Sequence, residues 1–170
     1  MRPLEQPPAA VVLGNPVHLL AFGLGSGLSP VAPGTAGSLA AIPLAWLMAQ
    51  AGWGWYLGLT VVALFAGFWI CGRSAELLGV HDHRGIVWDE FVGQFIALFL
   101  VPWQWYWIVA GFLLFRFYDI VKPWPARAFD RHMHNGAGIV MDDVVAGLYA
   151  WASLWGLIWL LRDRLGVVPA

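Results

Sequence analysis

Five apolar segments separated by short polar connections dominate the chain. They cover residues 39–52, 55–71, 86–101, 103–118 and 144–161. A helix that crosses a bilayer needs about 20 apolar residues, with about 17 at the low end, so several of these segments must extend into their polar flanks. The pattern predicts an all-α integral membrane bundle of about five spans.

The N-terminal part of the chain has a different pattern. Residues 1–15, rich in Pro and Ala, are expected to form a flexible tail, and residues 16–165 a single membrane-embedded domain. Within that domain, residues 16–38 mix a short apolar run with repeated Gly and Pro, which disfavours one continuous helix. Irregular backbone at membrane depth survives only against protein or a watery cavity. We therefore expect a re-entrant or interfacial segment that lies against the polar site.

Composition supports a membrane location. Hydrophobic residues make up 60% of the 170 residues and charged residues 11%, and the mean hydropathy is +0.69. Twelve Trp residues add rings that favour membrane interfaces. We expect membrane lipids as partners, and we do not expect binding to nucleic acid.

The acids have an unusual distribution, because seven of the ten lie between residues 82 and 143. Asp89 and Glu90 fall inside an apolar segment, where one buried carboxylate costs roughly 2.5–3.5 kcal/mol on insertion scales. Such a pair requires a cation or a wet cavity, and an ion pair with a neighbouring Arg is the simpler alternative. For Asp142 and Asp143, which precede the last segment, the alternative is compensation of a helix dipole.

The topology places six carboxylates at the ends of three helices on one side of the membrane, and a group of this kind repels itself unless cations lie among its members. Oxygen ligands without a Cys set favour Mg²⁺ or a similar hard ion. The six are Asp82, Asp89, Glu90, Asp119, Asp142 and Asp143.

Basic residues adjoin these acids in sequence. Arg side chains match phosphate oxygens with two parallel hydrogen bonds, and Lys supplies a point charge, so a phosphorylated lipid headgroup is the expected ligand of Arg84, Arg116, Lys122 and Arg127. Anchoring at the cytoplasmic face of the membrane is the alternative. His81 and His83 flank Asp82. They could act as a general acid to the leaving alcohol or as metal ligands, and the alternative is that they are solvated loop residues.

The distribution of Lys and Arg predicts orientation. The connections that carry acids and bases contain Arg73, Arg84 and Lys122, whereas residues 51–54 and 102–104 contain no Lys or Arg. The charged side is therefore expected to face the cytoplasm. Arg162 and Arg164 contradict this orientation if five spans are counted, unless they lie at the outer interface or residues 16–28 form a sixth span.

Four stretches together resemble the bacterial phosphatidylglycerophosphatase A family over about residues 15–147. They are NPVHLLAFGLGSGLSPVAPGTAGS, HDHRGIVWDEFVG, FRFYDIVKPWPARAFDR and GAGIVMDDVVAG. The resemblance implies a Mg²⁺-dependent phosphatase of the bacterial inner membrane. It would convert phosphatidylglycerophosphate to phosphatidylglycerol and inorganic phosphate at the cytoplasmic face.

The catalytic roles are hypotheses that join the resemblance to the residue pattern. Mg²⁺ held by Asp89, Glu90, Asp142 and Asp143 would polarise the phosphoryl oxygens and activate a water for in-line attack. Arg116 and Lys122 would neutralise the equatorial oxygens. Asp82 or Asp119 would serve as base, second metal ligand or orienting group, and a covalent aspartyl-phosphate route stays open.

Three other classes of membrane protein use some of the same features. A CDP-alcohol phosphatidyltransferase also carries acids and Mg²⁺ at helix ends, but its DG-x2-AR signature is missing, as is the PSGH-like motif of phosphatidic-acid-type phosphatases. The non-enzyme alternative is a divalent-cation transporter. Its acids should line a path across the bilayer, whereas these acids are predicted to cluster at one face.

Overall fold

The computed structural model describes residues 6–80, 83–127 and 136–165, with side chains described up to residue 161. Every regular element in these ranges is a helix, which confirms the all-α prediction. The short N-terminal elements are α1 (Ala9–Gly14), α2 (Pro16–Ala21) and a 3₁₀-helix (Gly23–Leu28). The longer ones are α3 (Pro33–Gln50), α4 (Trp53–Leu78), α5 (Trp88–Ala97), α6 (Trp105–Val121) and α7 (Gly136–Leu165).

Two of the described helices, α4 and α7, are long and apolar enough to cross a membrane. Only 28% of each apolar window is buried inside the protein, and large side chains such as Phe65 and Trp69 on α4 point outward. These features indicate a membrane protein. The other long helices are shorter, with 18 residues in α3, 17 in α6 and 10 in α5. At 1.5 Å per residue, α5 alone cannot cross a hydrocarbon core of about 30 Å, and the count of about five spans stays a prediction.

Helix boundaries differ from the sequence pattern at two places near the acids. Helix α3 begins at Pro33 rather than residue 39, because Pro33 takes the first helical position, where its missing N–H is not needed. Helix α7 begins at Gly136 rather than residue 144. Gly136 packs against the backbone of α4, where an added Cβ would lie 2.7 Å from the Gly72 nitrogen. Gly136 therefore lies at a close crossing of α4 and α7.

The N-terminal segment is more ordered than a tail and too broken for a span. Residues 9–14 of the predicted 1–15 tail form α1, in which Val12 is fully buried. Residues 16–28 do not form a sixth span, because left-handed backbone at Leu24 and Gly25 interrupts the short helical turns. The Val87 N–H donates to the Ala21 carbonyl at 2.8 Å. The segment thus packs against the loop that leads into α5.

The crossing of α5 and α7 fixes the positions of the acids. Gly93 lies one turn beyond Asp89 and Glu90, and an added Cβ there would lie 2.9 Å from the Asp143 carbonyl. On the facing helix, a Cβ at Gly147 would lie 2.6 Å from the Gly93 carbonyl. The two backbones touch at these glycines, so side chains one turn away on both helices are brought together.

Candidate active site

Three carboxylates from two helices converge at this crossing. Each of Asp89, Glu90 and Asp143 offers an oxygen, and these oxygens all lie within 4.8 Å of one another. Asp143 is 3% exposed, and Glu90 Oε2 is buried with no hydrogen-bond donor in the part of the chain that the structure describes. The Glu90 N–H donates to Asp89 Oδ1 at 3.1 Å, which orients that side chain. Carboxylates at this separation repel each other unless positive charge lies nearby or one of them takes up a proton.

The carboxylates line a cavity of about 370 Å³, which is the size of a small-ligand pocket. Its walls come from the start of α3, the loop before α5, and helices α5, α6 and α7. Three of the four predicted phosphate-binding residues line it together with five of the predicted acids. The charged residues at its walls are Arg84, Asp89, Glu90, Arg116, Asp119, Lys122, Asp142 and Asp143.

Arg116 brings a positive charge into contact with two of these acids. Its Nη1 lies 2.7 Å from Asp119 Oδ2 and 3.8 Å from Glu90 Oε1. The side chain is only 16% exposed, so these contacts are weakly screened by solvent. The arginine therefore offsets part of the repulsion among the carboxylates and holds Glu90 and Asp119 in relation to each other.

Asp142 differs from its neighbour Asp143. Its carboxylate forms an ion pair with Lys122 and is not a member of the three-acid group, although it also lines the cavity. Because α7 begins at Gly136, both acids lie well inside the helix, and compensation of the dipole at its first turn does not explain them. Lys122 has a left-handed backbone (φ 47°) at the end of α6, which is the kind of local strain that concentrates at functional sites.

Other predicted residues lie away from the cavity or outside the described ranges. Arg127 is exposed and donates to the Val121 carbonyl at 3.4 Å, because the left-handed turn at Lys122 ends the helix before it. His83 is buried and accepts from the Gly85 N–H at 3.0 Å, so it shapes the turn that presents Arg84. His81 and Asp82 lie outside the described residues, and their roles stay predictions.

Another buried histidine, His18, serves packing. It is 4% exposed, its Nδ1 lies 2.9 Å from Ser74 Oγ, and it does not line the cavity. Burial lowers its pKa, which favours the neutral ring in this environment.

Residues 16–38 were expected to lie against the polar site, and part of that segment does, but sequence reasoning missed that a helix begins at Pro33. Ala32, Pro33 and Gly34 line the cavity, and Ser38 Oγ lies 3.4 Å from Arg116 Nη1. The sequence did contain a signal for this helix start, because Pro33 is of the residue type that favours the first helical position. The high Gly and Pro content of the surrounding stretch concealed it.

Comparisons with known proteins agree with a lipid-phosphate site. Residues 19–158 match the family model described as Phosphatidylglycerophosphatase A. The chain is 49% identical over 144 residues to the phosphatidylglycerophosphatase A of Escherichia coli, with 84% of each chain covered. It is 47% identical over 160 residues to that of Haemophilus influenzae, with 92% of this chain and 98% of the relative covered.

A more distant relative carries a different name. A Bacteroides thetaiotaomicron protein, named "Putative phosphatidylinositol-3-phosphatase", is 40% identical over 152 residues, with 84% of this chain and 94% of the relative covered. No solved structure matches the chain.

Proposed function

Because the chain belongs to the phosphatidylglycerophosphatase A family, we propose that it hydrolyses phosphatidylglycerophosphate to phosphatidylglycerol and inorganic phosphate with the help of Mg²⁺. One observation carries the proposal. A single cavity combines three carboxylate oxygens within 4.8 Å of one another with Arg84 and Lys122 at its walls. A hard cation and a phosphate are the two ligands that such a mixture of charges suits.

The donor set fits Mg²⁺. Asp89, Glu90 and Asp143 provide oxygen ligands alone, which this ion prefers, and Glu90 Oε2 is a buried acceptor that lacks a donor among the described residues. These three residues would hold the ion, and Asp142 would stay paired with Lys122. When bound, Mg²⁺ would supply Lewis-acid polarisation of the phosphoryl group and acidify a water molecule.

The remaining polar residues account for binding and proton transfer. Arg84, which is exposed at the cavity, and Lys122 neutralise the phosphate oxygens of the lipid headgroup. Asp119 is the cavity carboxylate closest to Arg116, and it accepts the proton of the attacking water. As the water oxygen bonds to phosphorus, the phosphorus–oxygen bond to glycerol breaks. The released alkoxide takes up, through solvent, the proton that Asp119 accepted, which returns the carboxylate to its starting state.

The same arrangement supports a multi-pass protein of the inner membrane with its cavity toward the cytoplasm. Arg73 at the end of α4, together with Arg84, Lys122 and Arg127, belongs to the cavity end. The connections at the opposite end, residues 51–52 and 98–104, contain no Lys or Arg. Exposed Trp53 and Trp105 at that opposite end suit a membrane interface.

The direct test is phosphate release from phosphatidylglycerophosphate in mixed micelles by the purified protein, with Mg²⁺ or with a chelator. Wild type is compared with Asp89→Asn and Asp143→Asn, and with Glu76→Gln as an acid-to-amide control at a residue whose side chain is 69% exposed. We expect activity with Mg²⁺ in wild type and the control, and loss with chelator or in either cavity variant. Full activity of both cavity variants would remove the proposed site.

Phosphatidylinositol 3-phosphate belongs in the same assay as a competing substrate, because one relative is named for it. We expect a higher kcat/KM for phosphatidylglycerophosphate. A reversed preference would change the proposed substrate and leave the proposed lipid phosphatase activity in place.

A further inference from the structure

Arg116 forms a junction between three helices. Its Nη1 contacts acceptors on α5 and on its own helix α6, which are Glu90 at 3.8 Å and Asp119 at 2.7 Å. The same nitrogen donates to Ser38 Oγ on α3 at 3.4 Å. An arginine that serves several acceptors needs each of them in a fixed place, because its long side chain otherwise has many rotamers.

Ser38 is a fixed acceptor. It is fully buried, and its hydroxyl donates to the Gly34 carbonyl at 2.9 Å. A serine hydroxyl has one proton to donate. Since the Gly34 carbonyl takes that proton, the lone pairs of the oxygen are left to accept from Arg116.

Gly34 supplies the space for this arrangement. An added Cβ at residue 34 would collide with Glu90 Oε1 and would lie 3.2 Å from Arg116 Nη2. The start of α3 therefore approaches both partners of the Glu90–Arg116 ion pair. Gly34 allows the approach because it has no side chain, and Ser38, one turn later, supplies a hydroxyl.

From these contacts we propose that Ser38 is a positioning residue that holds the Arg116 guanidinium between Glu90 and Asp119. The inference rests on the proposed function, because Glu90 is one of the residues that would hold the metal ion. Ser38 acts through Arg116 and does not touch the reacting groups. Its loss should loosen Glu90 and leave the residues that bind the lipid phosphate in place.

A purely structural role is the alternative, because buried serines in apolar helices often bond to the carbonyl four residues earlier. Ser74 is a matched control. It is also fully buried and hydrogen-bonded, on α4, and it does not line the cavity. Ser38→Ala and Ser74→Ala remove the same atom at the same burial.

The first experiment measures Mn²⁺ binding by electron paramagnetic resonance, together with kcat and KM for phosphatidylglycerophosphate. We expect Ser38→Ala to weaken Mn²⁺ affinity on the order of ten-fold, as loss of a group that orients a metal ligand does. kcat should fall while KM changes less than about two-fold, Ser38→Thr should restore part of both losses, and Ser74→Ala should change neither. Equal Mn²⁺ affinity and kcat in folded Ser38→Ala and wild type would overturn the proposal.

The second experiment does not depend on the proposed function. Thermal unfolding of Ser38→Ala, Arg116→Gln and the double variant forms a double-mutant cycle. We expect the double variant to lose less Tm than the sum of the two single variants, because both singles break the same contact. Additive losses would contradict the positioning role. A wild-type protein with no phosphatase activity would contradict the proposed function alone, since the cycle would still report on Ser38 and Arg116.

Discussion

Glu90 and Asp143 lie on different helices, and their carboxylates approach within 4.8 Å. If the helices were apart, water would solvate each carboxylate separately. The fold must therefore offset the repulsion that arises when the two groups are brought together. The crossing of α5 and α7 at Gly93 and Gly147 imposes the approach. Arg116 offsets part of the repulsion, and the proposed Mg²⁺ would offset the rest.

The glycine crossing leads to a first prediction. Gly93→Ala places a methyl group 2.6 Å from Phe115 Cζ and 2.9 Å from the Asp143 carbonyl, and overpacking of this kind costs about 1–3 kcal/mol. We expect a lower Tm and loss of phosphatase activity. Gly156→Ala, on α7 with nothing within 4 Å of the added Cβ, is the control and should gain up to about 1 kcal/mol from helix propensity. Equal effects of the two substitutions would refute the close crossing.

A second prediction concerns the ion pair of Lys122 and Asp142. The Asp142 side chain is 9% exposed, so Lys122→Met leaves a buried carboxylate without this counter-ion, at a cost of about 1–3 kcal/mol. Adding Asp142→Asn should recover part of the lost Tm, because the amide carries no charge. Arg73→Met breaks an ion pair whose side chains are 49% and 69% exposed, and it should cost less than about 1 kcal/mol. No recovery in the double variant would mean that the two side chains are not coupled.

A third prediction compares Arg84, one of the two arginines that line the cavity, with arginines outside it. Arg84 lines the cavity, whereas Arg127 bonds to the Val121 carbonyl. Loss of a charge-assisted contact to the substrate is worth about 1.5–3 kcal/mol, so we expect Arg84→Gln to raise KM by roughly 10–100-fold. Steady-state kinetics should show Arg127→Gln and the control Arg73→Gln close to wild type. A large increase in KM for Arg127→Gln would mean that Arg127 binds the phosphate, as expected from the sequence, and would contradict its position outside the cavity.

A fourth prediction concerns stability in the absence of metal. Asp143→Asn removes one of three crowded carboxyls, so at a pH high enough to ionise all three the variant should unfold at a higher temperature than wild type in chelator. Mg²⁺ at about 100 times its Kd should then stabilise wild type by about 2.7 kcal/mol and leave the variant unchanged. Differential scanning fluorimetry with and without Mg²⁺ measures both effects. A variant that is less stable than wild type in chelator at that pH would contradict repulsion among the acids as the larger effect.

The sequence was sufficient for the helical class and for most of the charged residues of the cavity. Asp89 and Glu90 stand out because carboxylates are costly in an apolar segment. Arg116 and Lys122 stand out because they interrupt or end an apolar segment. These signals are local, and they require no knowledge of how the helices cross. The acids on α5 and α7 were expected to meet. Asp89, Glu90 and Asp143 do lie together, whereas Asp142 pairs with Lys122.

What the sequence could not supply was the tertiary context of its glycines. Gly136 resembles part of a turn until α4 is seen against it, and Gly34 resembles part of an irregular segment until Glu90 is seen beside it. Asp142 and Asp143 are equivalent in sequence, and only the helical rotation between adjacent residues sends one to Lys122 and the other to the three-acid group. Arg127 does not line the cavity, and the left-handed residue that precedes it, Lys122, is not a glycine and gave no sign of a turn in the sequence.

The central claim is that Asp89 and Glu90 of α5 share one hard cation with Asp143 of α7. Its most direct test is a Mn²⁺ titration of the purified protein by electron paramagnetic resonance, in wild type, Asp89→Asn, Glu90→Gln, Asp143→Asn and the exposed control Glu76→Gln. We predict a tight site in wild type and in the control, weakened in all three cavity variants whichever helix carries the change. Tight Mn²⁺ binding that survives Asp143→Asn, or that is absent from wild type, would contradict the claim.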